Sequence, residues 1–159
     1  MKAFIFAAAA ALSASPAMAQ VMTPSEYVMT AGASDLYERQ SSEIVRASTS
    51  DPRVREFAEM MIAHHMKSTE DVKAAARSAK LKVAPPQLMP AQSEMIAQLN
   101  AESGAARDAA YIAQQKAAHG QALAVQQAYA REGTSAPLRT AAGVIVPVVE
   151  NHIMMLKAM

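Results

Sequence analysis

The chain has 159 residues and a formal net charge of +1, which leaves no electrostatic case for a nucleic-acid partner. It has no cysteine, so disulfides, a lipid-anchored cysteine and a thiol nucleophile are excluded, and stability must come from packing or from packing plus a metal. Abundant alanine and twelve methionines, against five glycines and no tryptophan, favour helix, and the expected fold class is all-α.

The first twenty residues, MKAFIFAAAAALSASPAMAQ, read as an export leader. Lys2 precedes an apolar run, and Ala17-Met18-Ala19 supplies the small-x-small pattern cut by signal peptidase. The run is shorter than the roughly 20 residues a helix needs to span a bilayer. Cleavage is expected after Ala19, giving a signal peptide over 1–19 and one domain over 20–159 in the periplasm or secreted medium. Loss of Lys2 leaves the mature chain neutral, and no later segment reads as a transmembrane span.

Helix signals then follow in order. Thr23, Pro24 and Glu26 form a capping box with proline in the first turn, opening a helix over about 24–47. Asp51-Pro52 starts a second, continuing without a breaker to about residue 79. The segment KLKVAPPQLMPAQ, with three prolines, is a connector followed by a short extra helix over about 91–100. Ser103-Gly104 opens the next long helix, 105–131, which ends at Gly133. Ser135 caps the last, which runs to about residue 157 and contains Pro147, expected to remove one backbone hydrogen bond and bend it. Four long helices with short joints predict an antiparallel four-helix bundle.

The four histidines fall on three of the long helices. Steps of three and four residues place Val54, Ala58, Met61, His65, Ser68, Val72 and Ala75 on one face. His119 is central in the face Asp108, Ile112, Gln115, His119, Ala122, Gln126 and Tyr129. His152 sits in the stripe Leu138, Ala141, Ile145, Val148, His152, Met155 and Met159. The first helix has no histidine; its face Val28, Ala31, Asp35, Glu38, Ser42 and Val45 carries Glu38 near the middle. All four polar groups lie near mid-helix, so an up-and-down bundle brings them to one height within about a turn.

A single histidine on an apolar face is usually hydrogen-bonded core, and methionines at helical spacing are usually adaptable filler. Three imidazoles at one depth with one carboxylate satisfy each other poorly and a metal well. Neutral imidazole suits zinc, copper or iron. The candidate ligands are therefore Glu38, His65, His119 and His152, with His64 and Met61 as further candidates. A metal-free structural or interaction module is the alternative. A redox or oxidase centre is disfavoured, because no Glu-x-x-His pair is present: Ile62, Lys116 and Val149 stand three residues before the three histidines. No serine triad or phosphate-binding loop is evident, so an enzymatic role is disfavoured.

The segments SDPRVREFAEMMIAHHMKS, SGAARDAAYIAQQKAAHGQAL and VPVVENHIMML resemble those of the ferritin-like bacterial family called domain of unknown function 4142, across about residues 25–158. That resemblance implies a secreted or envelope-associated helical bundle, with Glu38, His65, His119 and His152 at the family's characteristic polar core positions. It implies no activity. The chain departs from the pattern at His64, where the family usually has aspartate, and at Arg107, where it often has phenylalanine. The phrase MMIAHHMKS is also similar to a short segment of domain of unknown function 305, a second ferritin-like group, some of whose members are linked with copper or silver handling; this is the secondary resemblance.

Overall fold

A computed structural model of the chain describes residues 21–159; the expected leader and its cleavage site lie outside them. Five helices follow one another: α1 (Pro24–Ser48), α2 (Pro52–Ser78), α3 (Pro90–Ala101), α4 (Gly104–Glu132) and α5 (Ala136–Lys157). No strand occurs among the described residues. None of these helices is long and apolar enough to cross a membrane.

The helix starts are written in local chemistry. Thr23 Oγ1 accepts from the Glu26 amide while Glu26 returns a carboxylate to the Thr23 amide, closing the capping box of α1. Asp51 accepts from the Arg53 amide and caps α2, with Pro52 at the first helical position. Lys80, at φ 58°, turns the chain out of α2 in the left-handed region. α5 runs unbroken through Pro147; Pro147 and Gly143, one turn before it, are both exposed, so the carbonyl freed there faces water.

Short joints make α1 and α2 one hairpin and α4 and α5 another. The hairpins close on each other through α2 with α5 and α1 with α4, giving a four-helix bundle, while α3 lies against α1 and α4. Residues from the start of α1, the end of α2, the end of α4 and the first half of α5 share one apolar cluster. It contains Tyr27, Val28, Val72, Ala76, Tyr129, Leu138 and Ile145, and this sharing requires neighbouring helices to run antiparallel. A second cluster at the other end contains Val45, Val54, Phe57, Met61, Leu99, Tyr111 and Leu156. Between the two lies a belt of buried polar residues, among them Asp35, Glu38, His65, Gln115, His119 and His152.

The stripe expected for α5 needs a correction. Ile145 and His152 are buried, but Val149 and Leu156 point inward with them, while Val148 and Met155 are each 36% exposed. Leu138, Ile145 and His152 belong to both the expected and the observed stripe, so the face has not drifted; the next inward residue after each of Ile145 and His152 lies four positions on, where three were expected. On α2, Thr69 is buried and Ser68 only half-buried; on α4, Tyr111 is buried and Ile112 half-buried.

The joint after α4 is tight. A Cβ built on Gly133 would stand 2.5 Å from Tyr129 Cε1 and 2.7 Å from the Tyr129 carbonyl oxygen. The Tyr129 ring cannot yield freely, because it stacks on Tyr27 with centroids 3.9 Å apart. Gly133→Ala is therefore expected to destabilise by about 1–3 kcal/mol through overpacking, read as a lower urea midpoint at unchanged slope.

Candidate metal centre

Each long helix supplies a part of the polar belt. Asp35 and Glu38, one turn apart on α1, share its inward face, and both are buried. His65 and Thr69 hold the same relation on α2, as do Gln115 and His119 on α4; α5 adds His152. His65, His119 and His152 each bring one ring nitrogen to within 4.8 Å of the others. Three residues more than 30 positions apart in sequence thus meet at the bundle axis.

The rings are held by specific partners. His65 Nδ1 lies 2.8 Å from Asp35 Oδ1. The Thr69 hydroxyl lies 3.1 Å from Asp35 Oδ2 and 2.8 Å from the His65 carbonyl, fixing the carboxylate in turn. His119 Nδ1 donates to the Gln115 carbonyl at 2.9 Å. His119 Nε2 faces His152 Nδ1 at 3.2 Å, and His152 Nε2 faces His64 Nδ1 at 2.8 Å. The His64 and His152 rings are 12° from parallel with centroids 5.1 Å apart, which at that nitrogen separation is edge-to-edge contact.

Four buried atoms here have no hydrogen-bond partner: both Glu38 oxygens, His65 Nε2 and Gln115 Oε1. Glu38 Oε1 stands 3.7 Å from His119 Nδ1, so Glu38 adjoins the imidazole trio. Buried groups left so are costly, and their gathering in one place fits a ligand that would satisfy them.

Protonation favours the same chemistry at two of the three rings. Burial, with the neighbouring His65, pushes His119 down to about 4, although its bond to the Gln115 carbonyl works the other way. Burial and the three other histidines push His152 down to about 3. Both rings are therefore neutral at pH 7 and carry lone pairs. Burial also pulls His65 downward, but the Asp35 hydrogen bond and the charges of Asp35 and Glu38 outweigh it, and its net shift is upward. Burial raises Glu38 to about 7, against the pull of His65.

The residues fit a transition metal. Two nitrogens on one tetrahedral zinc stand about 3.3 Å apart, the separation His119 Nε2 and His152 Nδ1 already have. A histidine that ligates a metal commonly donates its other N–H to a carboxylate or a carbonyl, and that is how Asp35 holds His65 and Gln115 holds His119.

His65, His119 and His152, expected from sequence to converge, do so. Glu38 does not join that group: its nearest approach is Oε1 at 3.7 Å from His119 Nδ1, the nitrogen already bonded to the Gln115 carbonyl. His64 is exposed and reaches the group only through His152. Met61 is fully buried in the apolar cluster with Val54 and Phe57. Sequence reasoning placed Asp35 on the inward face without assigning it a role; its position one turn before Glu38 was the available signal.

A groove of about 170 Å³ between α2 and α5, lined by His64, His65 and His152 and rimmed by Asp71, Val144 and Val148, leads from solvent to the trio.

The fold is shared with a solved structure of a DUF305 protein from Streptomyces coelicolor. The match has a TM-score of 0.63 at 18% identity and covers 84% of this chain and 88% of that one. No curated protein matches the sequence. The model of the family described as domain of unknown function (DUF4142) matches residues 7–159, and the chain belongs to that family.

Proposed function

We propose that this protein is exported to the periplasm and holds one transition metal ion through His65, His119 and His152, with Glu38 completing the site. Its role is metal holding or envelope stress protection. The observation that carries this reading is the meeting of three buried imidazole nitrogens within 4.8 Å, beside a carboxylate with neither oxygen bonded. Imidazole donors favour zinc, copper or iron over magnesium or calcium. Export rests on the leader sequence.

Protein dialysed against chelator and then given zinc or copper is expected to take up about one ion per chain. The combined change of His65, His119 and His152 to alanine is expected to abolish uptake. Stoichiometric binding that survives it would refute the ligand assignment. At free metal of about 1,000 times Kd, binding to the native state alone adds about 4 kcal/mol.

A second reading, a metal-free structural or interaction module, is favoured by one observation. The line from His64 through His152 and His119 to the Gln115 carbonyl forms a chain of hydrogen bonds without an ion. Equal melting temperatures with chelator and with added metal decide for it.

A further inference from the structure

Proton positions in this chain follow from its end. The Gln115 carbonyl only accepts, so His119 carries its proton on Nδ1 and leaves Nε2 bare. Among neutral rings, the contact between His119 Nε2 and His152 Nδ1 then needs the proton on His152 Nδ1. His152 Nε2 is left bare and accepts from His64 Nδ1–H. In this arrangement the His152 nitrogen that faces His119 is capped by a proton and is not a ligand.

For His152 Nδ1 to donate to an ion, the ring must become the other tautomer, with its proton on Nε2. That proton needs an acceptor, and the atom facing it at 2.8 Å is His64 Nδ1. His64 then holds its own proton on Nε2. Protons balance: one is released from His152 Nδ1 to solvent as the ion arrives, one passes from His64 Nδ1 to His152 Nε2, and one is taken from solvent at His64 Nε2. His152 uses opposite edges of its ring toward His119 and His64, so its ring stands between His64 and the trio.

We infer that His64 is a positioning residue of the metal centre, which accepts from His152 Nε2–H and thereby turns the bare Nδ1 of His152 toward the ion. This rests on the metal reading above and deepens it. Such outer partners typically command about 10–100-fold in metal affinity. His64 is exposed and lines the groove that opens on solvent.

The test uses the zinc-loaded and zinc-free protein. Nitrogen-15 NMR of the imidazoles is expected to report His152 as the Nδ1–H tautomer without zinc and the Nε2–H tautomer with it. His64→Ala is expected to weaken zinc binding about 10–100-fold while X-ray absorption still counts three imidazoles. His64→Gln, whose side-chain carbonyl accepts from the same side, is expected to recover most of that loss. Circular dichroism checks that both variants fold. Unchanged affinity in His64→Ala overturns the inference and leaves the metal reading standing. So does an unchanged His152 tautomer. Loss of one imidazole from the coordination count makes His64 a ligand and overturns it too. Failure of the unaltered protein to bind zinc overturns both readings.

Discussion

Glu38→Gln is expected to stabilise the metal-free protein at pH 8 by about 2–3 kcal/mol, a rise in melting temperature of roughly 5–10 °C for a domain of this size. The buried carboxyl titrates near 7 in the fold, against 4.5 in the unfolded chain. Its folded value is raised, so its contribution is fully present below pH 4.5 and is lost as pH rises through 7. At pH 8 the fold therefore bears an ionised group in a site where neither oxygen is hydrogen-bonded. Replacing that charge with an amide removes most of the cost, and the unpartnered Gln115 Oε1 offers the new N–H an acceptor. The gain shrinks toward zero near pH 5, where the native carboxyl is already protonated. The same substitution is expected to weaken metal uptake, because it removes a negative charge beside the trio. A stability gain paired with a binding loss marks a residue kept for chemistry. Urea unfolding at pH 8 and pH 5 checks the first half, and a destabilised variant at pH 8 would mean the carboxylate is well satisfied.

Acid is expected to weaken the metal-free protein well before ordinary carboxylates titrate. His119 and His152 fall from 6.5 to about 4 and about 3 in the fold. Their folded values are depressed, so the stability they contribute is present above pH 6.5 and is lost as pH falls toward those values. Between pH 6.5 and 4.5 each loses up to about 2.7 kcal/mol. Glu38, protonating over nearly the same window, returns most of what one of them loses. His65 has a raised value, so below pH 6.5 its contribution is fully present and constant. The net loss is about 3 kcal/mol by pH 4.5, a large part of the 5–15 kcal/mol typical of a domain. In Glu38→Gln, which lacks the offset, the loss over that window is expected to be nearly double. Guanidinium unfolding at the two pH values measures both, and flat stability from pH 6.5 to 4.5 in the unaltered protein would contradict the assignment of two neutral buried rings.

The sequence made the helices legible because their ends carry chemistry that acts locally. The Thr23–Glu26 box, Asp51-Pro52 and Gly133 each act within one turn and need no tertiary information. The convergence of His65, His119 and His152 was legible for a different reason: mid-helix residues in an antiparallel bundle meet at similar height whatever their direction. The inward face of α5 was legible at Leu138, Ile145 and His152, but whether the next inward residue lies three or four positions on, Val148 or Val149 and Met155 or Leu156, depends on how the helix is rotated against its neighbours. The order of contacts inside the site was not legible. That Asp35 rather than Glu38 bonds His65, and that His64 meets His152, depends on ring rotation and on side-chain reach across 30 and 88 positions of sequence. Periodicity carries no information about either.

Apolar burial in this bundle is divided between its two ends, and the chemistry occupies the storey between them. Each end grips all four rods on its own terms, so the middle floor is free to be refurnished without rebuilding the house. Relatives could therefore trade the imidazoles for other side chains and keep one architecture.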